Sequence, residues 1–264
     1  MLHFTKAHAY GNDFLYVAAD AVDRRHLSSL ARELCDRHTG IGADGLIVFE
    51  RKPDGATMSL WNADGGAAEV SGIGVRGLGA LLLREIDRVE AGVTIHTAAG
   101  PKRLERLARH GTRHEFRSDM GAPTGLQEVA LMAAGESLRV VALSMGNPQC
   151  VVLGPLPDEE RFRRLGAALE HHTLFPDRTN VEFAQVEAPD RIRILIWERG
   201  CGPTSSSGTG SCAALVAAAA HGGAARDAEV VAPGGAQRVE WPDERVFLTG
   251  WVELVCDGTW LREP

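Results

Sequence analysis

The chain is written twice, and that duplication constrains its fold more than any other feature of the sequence. Trp61 in SLWNADG and Trp197 in LIWERGCG stand 136 residues apart, and Ser71-Gly72-Ile73-Gly74 and Ser207-Gly208-Thr209-Gly210 repeat at the same interval. Gly11-Asn12 and Gly146-Asn147 are separated by 135. Three landmarks in one order and almost one register define two homologous halves. With 264 residues to share, each half is long enough to bury a core of its own.

Each half has the same order of local patterns. Short β-rich segments come first: FLYVAA and GLIVFE in one half, CVVLG and NVEFAQV in the other. A further strand follows (ATMSLW; RIRILIW), then a glycine-rich loop and a helix. The spacing predicts the helices over roughly 75–86 and 211–222, both apolar nearly all round, as buried helices are. TIHTAAG, RHEFRSDM and RVFLTGWVELV read as further strands, the last one returning to the first domain. The polar, turn-rich SDMGAP places the domain boundary near 118–123. The expected division is 1–118 plus about 251–264 for one domain and 119–250 for the other.

Composition excludes several classes of function. A formal net charge of −7 leaves no basic face for nucleic acid or an anionic membrane. No apolar run approaches the roughly 20 residues that span a bilayer, and MLHFTKAHAYGNDF lacks a signal-peptide core, so the expected setting is cytoplasmic. The five cysteines are scattered and odd in number, which suggests neither a disulfide framework nor a zinc site. The ten histidines form no familiar ligand set, so no metal is expected.

The candidate chemistry lies where the repeated Ser-Gly-x-Gly runs open a helix. A helix N-terminus leaves several N–H groups without partners, its dipole favours an anion, and glycines let a ligand come close to the backbone. Taken singly, Ser71 and Ser207 read as simple N-caps. Their duplication, with amides and charges nearby, points to a carboxylate held between two helix N-termini. Asn12, Asn62, Asn147 and Asn180 fall at strand ends or turns, and Glu198-Arg199 follows an apolar strand. Amide, guanidinium and carboxylate together suit a small zwitterionic amino acid. Each asparagine alone is as well explained as a turn residue.

These residues carry a resemblance. Gly11-Asn12-Asp13, GIGADGL, WNADG, and Glu69-Val70-Ser71-Gly72 followed by Arg76 resemble the first-domain motifs of the diaminopimelate epimerases. Asp119-Met120-Gly121, Met145-Gly146-Asn147-Pro148, Asn180-Val181-Glu182-Phe183 and the run from Glu198-Arg199-Gly200 to Gly208-Thr209-Gly210 resemble those of the second. The resemblance implies an α/β fold of two pseudo-symmetric domains, each a curled mixed sheet around a central helix, with substrate bound in the cleft between domains. It implies catalytic roles for positions 71 and 207. Backbone amides of Gly72, Gly208 and Thr209 are to grip the reacting α-carboxylate, and Glu198 the α-amino group. Asn12, Asn62, Asn147, Asn180 and Arg199 are to hold the distal end of the substrate. It further implies proton transfer at the α-carbon without cofactor, pyridoxal phosphate or metal, and a homodimer.

The catalytic positions depart from the family pattern. They hold Ser71 and Ser207 where the family has two cysteines, with Cys201 and Cys212 off register. Ile73 stands for an asparagine and Gln149 for a histidine. A serine hydroxyl is far less acidic than a thiol and exchanges an α-proton poorly unless strongly activated. Three readings are open: an isomerase whose serines, or Glu69 or Glu198, work in an altered site; a catalytically impaired homologue that binds an amino acid; or a Cys-to-Ser variant of a true epimerase. Ile73 and Gln149 speak against the last, since such a variant has no need of them.

Overall fold

A computed structural model describes residues 1–68, 70–88 and 90–262. The backbone forms two compact units, Met1–Ser118 with Gly250–Pro264, and Asp119–Thr249. The first contains strands β1 (Leu2–Ala9) and β2 (Asn12–Ala18), helix α1 (Leu27–Cys35), and strands β3 (Gly45–Lys52), β4 (Gly55–Asn62) and β5 (Ala67–Ala68). Helix α2 (Gly72–Leu83) and strands β6 (Ala91–Thr97), β7 (Gly100–His110) and β8 (Arg113–Gly121) follow. The second contains β9 (Thr124–Ala133), β10 (Glu136–Ser144), β11 (Pro148–Leu153), helix α3 (Glu159–Glu170), β12 (Asn180–Ala188), β13 (Arg191–Glu198) and β14 (Gly202–Thr204). Helix α4 (Gly208–Ala217), β15 (Asp227–Ala232), β16 (Gly235–Glu240) and β17 (Val246–Trp260) complete it. The first residues of β17 pair with β16 in the second unit, and its last residues pair with β1 in the first.

Strand pairing shows the duplication directly. In the first unit β2 runs parallel to β3, β3 antiparallel to β4, β4 parallel to β6, and β6 antiparallel to β7. In the second, β11, β12, β13, β15 and β16 repeat the same series of directions. Each mixed sheet encloses one helix. Ile73, Val75, Leu78 and Leu81 of α2 pack among Tyr16, Ile47, Met58, Ile95 and Phe116, and Cys212 to Ala218 are buried among strands of the second unit. Helices α1 and α3 cover the other sheet face with Leu30 and Leu34, and with Phe162, Leu165 and Leu169.

The enclosed helices begin earlier than the spacing predicts, at Gly72 and Gly208 rather than near 75 and 211. The glycines are therefore the first helical turn and not a loop ahead of it. The reason is the cap: the hydroxyls of Ser71 and Ser207 accept from the backbone N–H groups of Gly74 and Gly210, each at 3.1 Å, so the helix starts at the serine. The far ends also differ. Helix α4 passes into a π-helical turn, Ala218–Gly222, closed by Gly223 at φ 80°. Helix α2 stops at Leu83, where the buried guanidinium of Arg106 donates to the carbonyls of Leu83 (2.8 Å), Ile86 (2.6 Å) and Arg88.

Beside that cap lies His114, 1% exposed, its ring stacked on Phe116 at 6.1 Å between centroids. Neither ring nitrogen has a partner among the described residues. Burial, and then the charges of Arg106 and Arg109, push its pKa down to about 4. An unfolded histidine titrates near 6.5, so the folded chain resists a proton that the unfolded chain takes up. Stability is whole above about pH 6.5 and falls as pH drops toward 4, by on the order of 2 kcal/mol from this group. Replacing His114 with Phe is expected to remove that part of the acid sensitivity, seen as a flatter dependence of the urea midpoint on pH between 4 and 6.5.

Candidate functional site

In each unit the polar candidates gather at one end of the strands around the enclosed helix. Asn12 opens β2 directly after a two-residue turn, Tyr10-Gly11, in which both residues have positive φ (55° and 84°). That turn matches the twist of a tight hairpin and fixes where β2 starts. Gly45 opens β3 parallel to β2, and Asn62 closes β4 opposite Gly45. Ser71 then caps α2. Asn12 is half-buried, with its Oδ1 sequestered and without a partner among the described residues; Asn62 is exposed. Glu69 lies outside the described residues, so the structure places nothing for it.

Asp13 and the GIGADGL segment serve this end of the sheet structurally. The backbone N–H groups of Ile41 and Gly42 donate to the carbonyl of Leu34 at the end of α1. Gly40 crosses so closely that a Cβ there would lie 2.3 Å from the Glu33 carbonyl oxygen. Burial alone would raise the Asp13 carboxyl, but Arg37 (2.7 Å) and Lys6 (2.8 Å) bring it down to about 2.

The second unit repeats the plan with more polar contacts. Asn147 precedes β11, Asn180 opens β12, Glu198 closes β13, and Ser207 caps α4. The side-chain carbonyl of Asn180 accepts from the Arg199 backbone N–H (3.0 Å), and its NH2 donates to the Pro148 carbonyl (3.2 Å). The Arg199 guanidinium donates to the Asp177 carbonyl at 3.1 Å. Asn147 Nδ2 stands 3.4 Å from Thr209 Oγ1 in the first turn of α4. Thus Asn180 is joined to Arg199, and Asn147 to Thr209, the second pair standing with Ser207 and Gly208 at the helix N-terminus. Burial raises the Glu198 carboxyl, which moves it toward the range where a carboxylate serves as a base near neutrality.

Two residues here had not been singled out as site candidates. Glu182 and Gln149 are both 0% exposed, and the Gln149 amide meets the two carboxyl oxygens of Glu182 at 3.0 and 3.2 Å. On its other side that amide lies 2.7 Å from Asn147 Oδ1. Burial first, and then Glu198, raise the Glu182 carboxyl well above the ordinary range. The available signal was a charge on the inward-facing position of NVEFA, where an alternating strand should carry an apolar side chain. Of the off-register cysteines, Cys212 is buried inside α4 and Cys201 is exposed in the turn after β13.

The fold recurs in solved proteins described as epimerases and racemases. Over its whole length the chain superposes on a predicted epimerase from Pseudomonas aeruginosa (TM-score 0.76, 17% identity, 100% of both chains). A probable proline racemase from Agrobacterium radiobacter K84 matches similarly (TM-score 0.75, 18% identity, 100% of this chain and 94% of that one). Sequence narrows the class. The family model described as diaminopimelate epimerase matches residues 4–126 and 141–255. The diaminopimelate epimerase of Desulforudis audaxviator (strain MP104C) is 39% identical over 99% of this chain and 100% of its own. That of Pelotomaculum thermopropionicum is 38% identical over 97% and 98%. The chain belongs to the diaminopimelate epimerase family, and thereby to the isomerases.

The caps set a stability expectation separate from any catalysis. Ser71→Ala and Ser207→Ala should each cost about 1 kcal/mol, and the glycine replacements only a few tenths. Urea unfolding of the four single variants measures this. Equal stability of the alanine variants and the parent chain would contradict the capping role.

Proposed function

We propose that the chain acts on a small zwitterionic amino acid, diaminopimelate or a close relative, as an isomerase that moves a proton at the α-carbon. The observation that carries this reading is the duplicated half-site: in both units a serine-capped helix N-terminus stands at the strand ends that bear the amides. In this reading the backbone N–H groups of Gly72, Gly208 and Thr209 bind the α-carboxylate, as helix N-termini favour. Glu198 takes the α-amino group, and Asn12, Asn62, Asn147, Asn180 and Arg199 take the distal end. Ser71 and Ser207 occupy the positions from which a proton is removed and returned. A homodimer in the cytoplasm completes the reading; the five cysteines, all free, suit a reducing compartment.

The same caps favour a second reading, a binder with little turnover. Each serine oxygen already accepts a backbone hydrogen bond, and a hydroxyl needs a strong neighbouring base before it can work on a C–H bond. Proton exchange separates the two readings. Calorimetric titration with the stereoisomers of diaminopimelate, lysine and ornithine should give heat with at least one. Deuterium uptake at the α-carbon in D₂O, followed by NMR, should be slow in the parent chain. It should rise about a hundredfold or more when Ser71→Cys and Ser207→Cys are combined, since a tuned acid–base pair contributes on that order. Absence of heat with every amino acid would remove the substrate assignment. Fast exchange by the parent chain would remove the binder and establish an active Ser/Ser pair.

A further inference from the structure

The duplication supplies an internal control at one spot beneath each enclosed helix. In the first unit the space under the first turn of α2 is filled by Ile47: a Cβ on Gly74 would stand 2.7 Å from its Cδ1. In the second, the matching space under α4 is filled by Glu182, whose Oε1 would be 2.5 Å from a Cβ on Gly210. The neighbouring strand carries a parallel exchange. Phe14 pairs with Gly45 between β2 and β3, and Gln149 pairs with Asn180 between β11 and β12. Where one unit holds Phe14 and Ile47, the other holds Gln149 and Glu182. The fold itself is satisfied by an isoleucine there. A buried carboxyl costs free energy unless it is hydrogen-bonded, so its presence calls for a role outside packing.

The surroundings of Glu182 favour its neutral form. Strand β13 brings Glu198, and β11 brings Cys150, whose thiol is itself raised by burial and by Glu182. Helix α4 packs over Glu182 at Gly210, where a Cβ would stand 2.5 Å from Glu182 Oε1. Helix α3 packs on the opposite face of β12, with Phe162 against Phe183 at 5.6 Å. Among the described residues no cation acts on the Glu182 carboxyl.

We propose that Glu182 is a positioning residue of the second unit's half-site, setting through Gln149 which way the Asn147 amide and the Thr209 hydroxyl face at the N-terminus of α4. With its proton in place, Glu182 donates to the Gln149 carbonyl oxygen, and the Gln149 NH2 donates to Asn147 Oδ1 at 2.7 Å. Asn147 Nδ2 then faces Thr209 Oγ1 at 3.4 Å. Without a donor at position 182 the Gln149 amide turns. Its NH2 faces β12, and its carbonyl oxygen takes the Thr209 hydroxyl at 3.2 Å and Asn180 Nδ2 at 3.3 Å. Asn147 must turn as well, because two carbonyl oxygens would otherwise meet at 2.7 Å. The groups offered to a ligand by Asn147 and Thr209 are reversed as a result.

The part of this proposal that concerns ligand rests on the amino-acid reading above; the part that concerns amide orientation does not. Side-chain NH2 resonances of Gln149 and Asn147 in ¹⁵N-labelled full-length chain test the latter without ligand. Glu182→Gln supplies an N–H donor and no charge, and Glu182→Met supplies shape alone. At neutral pH, Glu182→Gln should keep both resonances near their parent positions, and Glu182→Met should displace both. By calorimetry with diaminopimelate, Glu182→Met should weaken affinity at least tenfold, and Glu182→Gln should recover it to within about threefold of the parent. Glu182→Ile, the residue of the first unit, replaces Glu182→Met if that variant does not fold. Undisplaced Asn147 and Gln149 resonances in the apolar variant, or parent-like affinity in it, would overturn the proposal. If the parent binds no amino acid, the substrate reading fails alone and the resonances still decide.

Discussion

Everything in each unit is organised around one hydrogen bond, from a helix backbone N–H to a serine oxygen. A helix enclosed by its own sheet cannot leave its first N–H groups to bulk water at every position, and a buried orphan donor costs as much as a lost hydrogen bond. Ser71 and Ser207 supply one acceptor each, to Gly74 and Gly210. The N–H groups of Val75 and Ser211 go to the carbonyls of Ser71 and Ser207, and glycine at 72 and 208 puts no side chain over the start of the helix. The same local solution therefore stabilises the helix and leaves a donor set suited to an anion. The opposite ends are closed differently: α2 by the buried guanidinium of Arg106, α4 by a widened turn and Gly223.

That economy bears on the serine-for-cysteine difference. Sulfur is a weak hydrogen-bond acceptor, so a cysteine at an N-cap gives up capping strength and gains an acidic proton. A serine makes the reverse exchange. At both positions this chain has the residue that suits the helix better and proton transfer less. The buried Glu182 and the half-buried Glu198, both with carboxyls raised above their ordinary range, lie in the second unit, where the duplicated plan has become polar. The two halves are alike in backbone and unlike in chemistry.

Much of this was legible in the sequence because duplication turns weak local patterns into paired ones. Trp61 and Trp197, and the two Ser-Gly-x-Gly runs, mark equivalent strand ends and helix starts. Both enclosed helices could be read from uniform apolarity, but their first residues could not. Glycine runs look like loops unless the cap is counted as part of the helix. Helices α1 and α3 went unread although LSSLARELC buries Leu27, Leu30, Ala31 and Leu34 at helical spacing, because the paired landmarks of the duplication lie elsewhere. The link between Gln149 and Glu182 was hidden for another reason: it joins neighbouring strands whose residues lie far apart in the chain. The 135-residue spacing of Gly11-Asn12 and Gly146-Asn147 already carries them onto Phe14 and Ile47, and the strand register agrees.

Strand β17 has a consequence for how the chain is made. Residues near its start complete the second unit beside β16, and residues near its end lie opposite β1, with Leu2 facing Trp260. Strand β1 is thus paired on one side by β17, which is translated after every other strand among the described residues. During synthesis the second unit gains all its strands while the first still has an open edge at β1, although the first was translated earlier. Such an edge can pair with other chains, so the unit translated earlier is the one that carries an uncompleted edge for longer.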